Sequence, residues 1–250
     1  MLSFDSDGVG IAYSDAGEGE PILLIHGFAS NVAANWGDVG WIGALAAAGR
    51  RVIALDNRGH GQSEKLYDPS CYGAPSMAED ARRLLDHLGI ARADVMGYSM
   101  GARIVTFLLL AHPERVRSAI LAGVGINLVR GMVGSGPIAK ALEAPRLEDV
   151  SNDTARSFRA FAEKTGSDLK ALAACMRGPR EKILPKDLAR IRIPVLVATG
   201  SEDVIAGSGQ DLASLIPGAQ LLEITGRDHM KAVGDARFRQ GVLDFLTERP

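Results

Sequence analysis

Six short apolar runs, most of them continuous, recur along the chain. They are "PILLIHG" (Pro21 to Gly27), "RVIALD" (Arg51 to Asp56), "ADVMG" (Ala93 to Gly97), "SAILAG" (Ser118 to Gly123), "PVLVATG" (Pro194 to Gly200) and "QLLEITG" (Gln220 to Gly226). A strand that shows one face to water alternates apolar and polar residues, whereas a strand covered on both faces reads as a continuous apolar run. Segments with helical spacing separate the runs. In "SMAEDARRLLDHLGI", Met77, Ala81, Leu84, Leu85 and Leu88 share one face, and Ser76 with Glu79 has the spacing of a capping box. "MGARIVTFLLLAHPERV" and the closing "DARFRQGVLDFLTER" also read as helices, and "VGIAYSDAGEG" reads as an edge strand with a glycine turn. Alternating strand and helix imply an α/β class with a mostly parallel sheet flanked by helices.

The rhythm breaks between Val124 and Leu188, where "SGPIAKALE", "SNDTARSFRAFAEKT" and "SDLKALAACM" read as short helices and no strand run occurs. That is too long for a simple connection. The expected organisation is a core of residues 1–123 and 189–250, with residues 124–188 inserted as a helical cap. With 250 residues, 46% of them hydrophobic, the chain can fill one such core.

The composition also narrows the partners. A net charge of -2 gives no global basic field for nucleic acid or an anionic membrane. "MLSFDSDGVG" lacks the basic start and apolar run of a secretory signal, and "IVTFLLLA" is too short to span a bilayer. Cys71 and Cys175 are expected to be reduced thiols in a cytoplasmic protein, and no His/Cys cluster has the spacing of a structural zinc site.

Within "DVMGYSMGAR", Ser99 lies between Gly97 and Gly101. With 29 glycines in the chain, Gly-x-Ser-x-Gly is weak by itself. Its context is what gives it force: a strand run ends at Gly97 and a helical run begins near Met100, which places Ser99 on a sharp strand-to-helix turn. A serine hydroxyl needs a base. Of the five histidines, His87 is in mid-helix. His112, about 13 residues along the helix from Ser99, is roughly 20 Å away at ~1.5 Å per residue. His26 and His60 precede the serine, and only His229 in "GRDHM" fits the order serine, acid, histidine. The orienting acid should leave the penultimate strand, where "GSED" offers Asp203, with Glu202 as the fallback. Asp228 reads as a solvated turn residue, and no acid immediately follows "SAILAGVGIN".

His26-Gly27, "DNRGHGQS" (Asp56 to Ser63), "GYSMG", "GSED" and "GRDH" occur in the order seen in one family, and the chain resembles the α/β-hydrolase superfamily, specifically its serine esterase-like members with a small helical cap. The resemblance implies Ser99 as nucleophile, His229 as base, Asp203 as orienting acid, and the backbone N–H groups of Phe28 and Met100 as the oxyanion hole, with no cofactor and no metal. It implies a packing role for Arg58 and His60 in the "DNRGHGQS" loop, where Asn57 replaces the residue of many relatives. The expected reaction is hydrolysis of a small to medium carboxylic ester through an acyl-enzyme. Perhydrolase or haloperoxidase-like, lactonase and carbon–carbon hydrolase activities on the same triad stay open, as does a ligand receptor without turnover. Met132, Phe158, Phe161 and Met176 are the cap's candidate pocket residues.

Overall fold

The computed structural model describes residues 1–131 and 135–249. Its strands are β1 (Leu2–Asp5), β2 (Gly10–Ala16), β3 (Glu20–Ile25), β4 (Arg50–Leu55), β5 (Ala93–Tyr98), β6 (Val116–Ala122), β7 (Val195–Gly200) and β8 (Gln220–Ile224). They form one sheet in the order β1-β2-β4-β3-β5-β6-β7-β8. All pairings from β4 to β8 are parallel; β1 with β2 and β2 with β4 are antiparallel. The unbroken apolar runs follow from this layering. Leu23, Ile25, Val95, Ala119, Leu121 and Val197 pack into the core on one face; their neighbours Ile22, Leu24, Met96, Ile120, Ala122 and Leu196 pack into the core on the other.

Helices α1 (Trp41–Ala47), α2 (Ala74–His87) and α3 (Met100–Ala111) belong to the first half of the chain. Between β6 and β7 come α4 (Asn127–Arg130), α5 (Ser135–Glu143), α6 (Asp153–Lys164), α7 (Leu169–Arg177) and α8 (Pro185–Leu188), with no strand among the described residues of that interval. The last two are α9 (Gly209–Ser214) and α10 (Ala236–Glu248). α2, α3 and α9 cover one face of the sheet, and α1 and α10 the other. Among the described residues, no helix is long and apolar enough to cross a membrane.

Two local readings need correction. "VGIAYSDAGEG" is not the edge: β2 is paired on both sides and β1 is the outer strand. Asp7 and Gly8, at φ 58° and 82°, make the two-residue hairpin turn between them. Positive φ at both central positions is the geometry that favours an Asp-Gly pair. The second correction concerns α2, which starts at Ala74 with Gly73 as its N-cap, so Ser76 lies inside the helix. Pro75 explains the earlier start, because a missing N–H costs nothing in a helix's first turn. Glu79 instead accepts from Arg82 Nε (2.7 Å) and pairs with His112 Nε2 (2.5 Å).

Most of the "DNRGHGQS" loop is buried, and its charged side chains are held by hydrogen bonds. Asp56 accepts the Val32 and Gln62 N–H groups at 2.7 Å each. Arg58 makes a bidentate contact to Asp80, both bonds 2.7 Å, and donates to Cys71 O. His60 is fully buried, donates from Nδ1 to Arg58 O (3.0 Å), and has no partner for Nε2 among the described residues. Its ring centroid is 5.4 Å from that of His26, also fully buried. Burial lowers His26 to about 4, and burial together with the His26 neighbour lowers His60 to about 3.

At the centre of the sheet, β5 and α3 touch without side chains between them. A Cβ at Gly97 would collide with the Gly101 backbone, and one at Gly101 with the Ile25 carbonyl.

Two outcomes follow for stability. Gly101→Ala should destabilise the fold by about 3 kcal/mol or more, read as a lower urea midpoint, because the obstacle is backbone that cannot rotate away. The buried histidines stay neutral in the fold while an unfolded histidine takes up a proton near 6.5. Their contribution is complete above that value and is lost as pH falls toward about 4 and 3. The urea midpoint should therefore drop between pH 7.5 and 5, by on the order of 2 kcal/mol per histidine. His60→Gln should flatten that slope.

Candidate active site

Parallel strands deliver their carboxyl ends to one edge of the sheet, and the loops leaving that edge bring together residues far apart in sequence. Ser99 leaves β5, Asp203 leaves β7 and His229 follows β8. Ser99 has φ 54° and ψ -112°, a left-handed backbone value rare for a residue with a side chain. The strand before it and the helix after it fix that turn, leaving the Ser99 hydroxyl facing the sheet's carboxyl edge.

Ser99 Oγ lies 2.9 Å from His229 Nε2, and His229 Nδ1 lies 2.7 Å from Asp203 Oδ2. A carboxylate oxygen accepts, so Nδ1 carries the hydrogen of this contact and Nε2 faces the Ser99 hydroxyl as an acceptor. The other Asp203 oxygen accepts the N–H groups of Ile205 (3.1 Å) and Ala206 (2.9 Å), which fixes the carboxylate plane. Asp203 and His229 are both buried, and Glu202, the fallback acid, is exposed. Asp228 accepts from the Met230 and Lys231 N–H groups, as a turn residue does. His112 caps the end of α3, and His87 is exposed with its ring stacked on Phe4.

The two proposed oxyanion donors sit where their N–H groups are free. Met100 N–H begins α3, so it has no acceptor within its own helix. Phe28 N–H likewise has no partner among the described residues. Its orientation comes from the peptide it shares with Gly27. His26 donates from Nδ1 to Gly27 O (2.7 Å) while its Nε2 accepts the Asn57 N–H (3.0 Å). A second donor to Gly27 O is the Ser30 N–H (3.3 Å), and Asn35 Oδ1 accepts the Gly27 N–H (3.1 Å). Because a peptide is planar with its C=O and N–H opposed, holding the Gly27 oxygen fixes the direction of the Phe28 N–H.

A cavity of about 450 Å³ opens above Ser99 and His229. Phe158 and Phe161 of α6 line it, as does Phe28, whose ring meets that of Phe158 edge to face at 6.0 Å. Met176 does not line it. That side chain is buried in α7, its sulfur 3.1 Å from Arg180 Nη2, because α7 packs into the core with its apolar face inward. Met132 lies outside the described residues. Contributors not legible in the sequence include Asn31 and Asn35 around a π-helical turn (Ala33–Gly37), and Lys164 and Thr165 at the end of α6. Among the described residues, no group of three or more His, Cys, Asp or Glu side chains is placed to hold a metal ion.

Tyr98 is also absent from the sequence reading. Its buried hydroxyl donates to the His229 carbonyl at 2.6 Å. Burial, with the Asp203 and Asp228 carboxylates nearby, holds the phenol well above its ordinary range, so it remains a donor. Its ring is accommodated by Gly123 at φ 61°, where a Cβ would come within 2.8 Å of it.

Residues 20–137 match the alpha/beta hydrolase fold family. The chain is 30% identical to non-heme chloroperoxidase CPO-A1 of Kitasatospora aureofaciens, an alignment covering 97% of this chain and 98% of that one. It is 32% identical to 2-hydroxymuconate semialdehyde hydrolase of Pseudomonas putida, over 94% of this chain and 89% of the relative. Among solved structures it resembles the enol-lactonase from Burkholderia xenovorans LB400, with a TM-score of 0.82, 24% identity, and coverage of 99% and 100%, a likeness of fold. By its relatives and by its sheet, the chain belongs to the α/β-hydrolase family.

Proposed function

We propose that the chain is a serine hydrolase of small carbonyl compounds, with Ser99 as nucleophile, His229 as base and Asp203 as orienting acid. The observation that carries the reading is the continuous hydrogen-bond chain from Asp203 through His229 to Ser99, beside the Phe28 and Met100 N–H groups, which have no partner among the described residues. Ser99 Oγ attacks the carbonyl carbon as its proton passes to His229 Nε2, and Asp203 stabilises the imidazolium. The oxygen that gains charge accepts from Phe28 and Met100, donors worth on the order of 3 kcal/mol each in such sites. When the tetrahedral intermediate collapses, His229 returns the proton to the leaving group. Water, deprotonated by the same imidazole, then frees the acid from Ser99.

Residues 124–188 act as a cap over this site in the same reading, with Phe158 and Phe161 forming its apolar wall. The cavity size supports a compact substrate. Lys164 lies at the cavity and has no ion pair among the described residues, though Asp38 lines the same rim. An unpaired cation there supports a substrate that carries a carboxylate, as 2-hydroxymuconate semialdehyde does, ahead of the open-chain ester expected from the sequence. The Pseudomonas relative supports the same choice. A second reading is peracid formation on the same triad, favoured by the similarity to the chloroperoxidase along nearly the whole chain.

Turnover of 2-hydroxymuconate semialdehyde, a small lactone, and p-nitrophenyl acetate as chromogenic surrogate, tests the first reading. Peracetic acid production from acetate and peroxide tests the second. Ser99→Ala should abolish every one of these activities, a loss of about 10⁵-fold or more. Asp203→Asn should cost about 10⁴-fold while Glu202→Gln leaves the rate unchanged. If Ser99→Ala retains turnover, the nucleophile assignment is wrong; binding without turnover across the panel favours a receptor. Tyr98→Phe removes one buried hydrogen bond behind the base, and kcat should fall roughly fivefold to tenfold with little change in KM.

A further inference from the structure

We infer that Thr165, at the end of cap helix α6, is a positioning residue for the oxyanion donor of Phe28, so that the cap completes the catalytic machinery as well as walling the cavity. The inference rests on the serine-hydrolase reading above. Its basis is a relay through two peptide groups, Ala29–Ser30 and Gly27–Phe28. Thr165 Oγ1 lies 2.8 Å from the Ala29 carbonyl oxygen, a contact between the cap and the loop after β3. The same hydroxyl lies 3.1 Å from the carbonyls of Phe161 and Ala162 and 2.9 Å from Ser167 Oγ. It has one hydrogen to donate, and the shortest carbonyl contact is the one that leaves its own helix turn.

Ala29 is fully buried, and its carbonyl has no other partner among the described residues. Without the threonine hydroxyl, that oxygen would be a buried acceptor left unsatisfied. Ala29 is also one of three non-glycine residues at positive φ among the described residues, at 58°, a conformation that persists only where the surroundings enforce it. The peptide whose oxygen Thr165 holds is the one whose N–H belongs to Ser30, and that N–H donates to Gly27 O. Gly27 O in turn lies at the far end of the peptide that carries the Phe28 N–H. His26 grips the same oxygen from the core side, at 2.7 Å. The donor is thus braced twice, by His26 beneath and by Thr165 above.

This brace acts on the developing oxyanion and not on substrate held in the cavity. Thr165→Val, close to isosteric, should therefore lower kcat for p-nitrophenyl acetate about tenfold with KM changed less than about twofold. Affinity for phenylboronic acid, which adds to a serine oxygen as a tetrahedral anion, should fall by a similar factor. Thr165→Ser, which keeps the hydroxyl, should restore both, and Thr165→Ala should repeat the valine result. Wild-type kcat and boronate affinity in Thr165→Val and Thr165→Ala would overturn the inference. So would a rise in KM alone, or a kcat loss without the parallel loss of boronate affinity. Ser99→Ala is run alongside: if it stays active, the serine reading fails, whereas an inactive Ser99→Ala with unaffected Thr165 variants defeats only the brace.

Discussion

The close approach of β5, β3 and α3 is the constraint on which the rest of the site depends. Gly97 and Gly101 let a strand and a helix meet backbone to backbone, and the turn between them must then be tight. Ser99 takes up that tightness at φ 54°. Strain of this kind is of order 1–3 kcal/mol and survives only because the surrounding core is rigid. The rigidity comes from the two apolar layers: β5 is buried along its whole length, and the helices on both faces are anchored in side chains fully removed from water. The same turn presents the Ser99 hydroxyl and starts α3 at Met100, so one backbone feature supplies the proposed nucleophile and the first N–H of the helix.

The rest of the site is held by hydrogen bonds in which each donor has one preferred direction. Tyr98 fixes the His229 backbone, Asp203 fixes its ring, and two N–H groups fix Asp203. On the other side of the cavity His26 and Asn35 fix the Gly27 peptide. A histidine serves as such a brace only while it is neutral, since its Nε2 must accept the Asn57 N–H. Burial is what keeps it so. Asp56 Oδ1 comes within 3.9 Å of that nitrogen but is already engaged by the Val32 N–H at 2.7 Å, and desolvation outweighs the hydrogen bond to Gly27 O that favours the charged ring. Two histidines near the same edge of the sheet thus have opposite environments: His229 reaches a cavity and a carboxylate, while His26 is sealed within the core.

What could be read from the sequence divides along a physical line. The parallel strands were legible because burial on both faces leaves an unbroken apolar signature. Ser99 and Asp203 were legible because each follows such a strand; His229 follows β8, a partly buried edge strand, and was legible from its place in the order serine, acid, histidine. The hairpin of β1 and β2 was missed because four residues of "LSFD" carry too short a pattern, although Asp7-Gly8 marked its turn. The start of α2 was misplaced because a capping-box spacing occurs within a helix as readily as at its end; Pro75 was the better marker. Met176 shows the limit of reading a pocket from composition. Apolar residues of a cap face either the cavity or the core, and only packing decides between Phe158, which lines the cavity, and Met176, which does not.

Residues acting through another group are the hardest to find in a sequence. Tyr98 fills a variable position of the Gly-x-Ser-x-Gly stretch and Thr165 lies outside every motif quoted above, and each contributes one hydroxyl to a carbonyl more than a hundred positions away. Their value comes from what that carbonyl is attached to. A carbonyl held in place fixes its peptide plane, and through it the N–H or the side chain that meets the reacting atoms. A site of this kind needs its second layer as much as its first, because a displaced donor loses most of its stabilisation of charge in a low-dielectric cavity. The helical segment between β6 and β7 therefore has two ways to influence chemistry on the platform. It shapes the cavity through Phe158 and Phe161, and through Thr165 it reaches the same loop that carries the Phe28 N–H. Variation in that segment can then alter rate and substrate choice together, without any change in Ser99, His229 or Asp203.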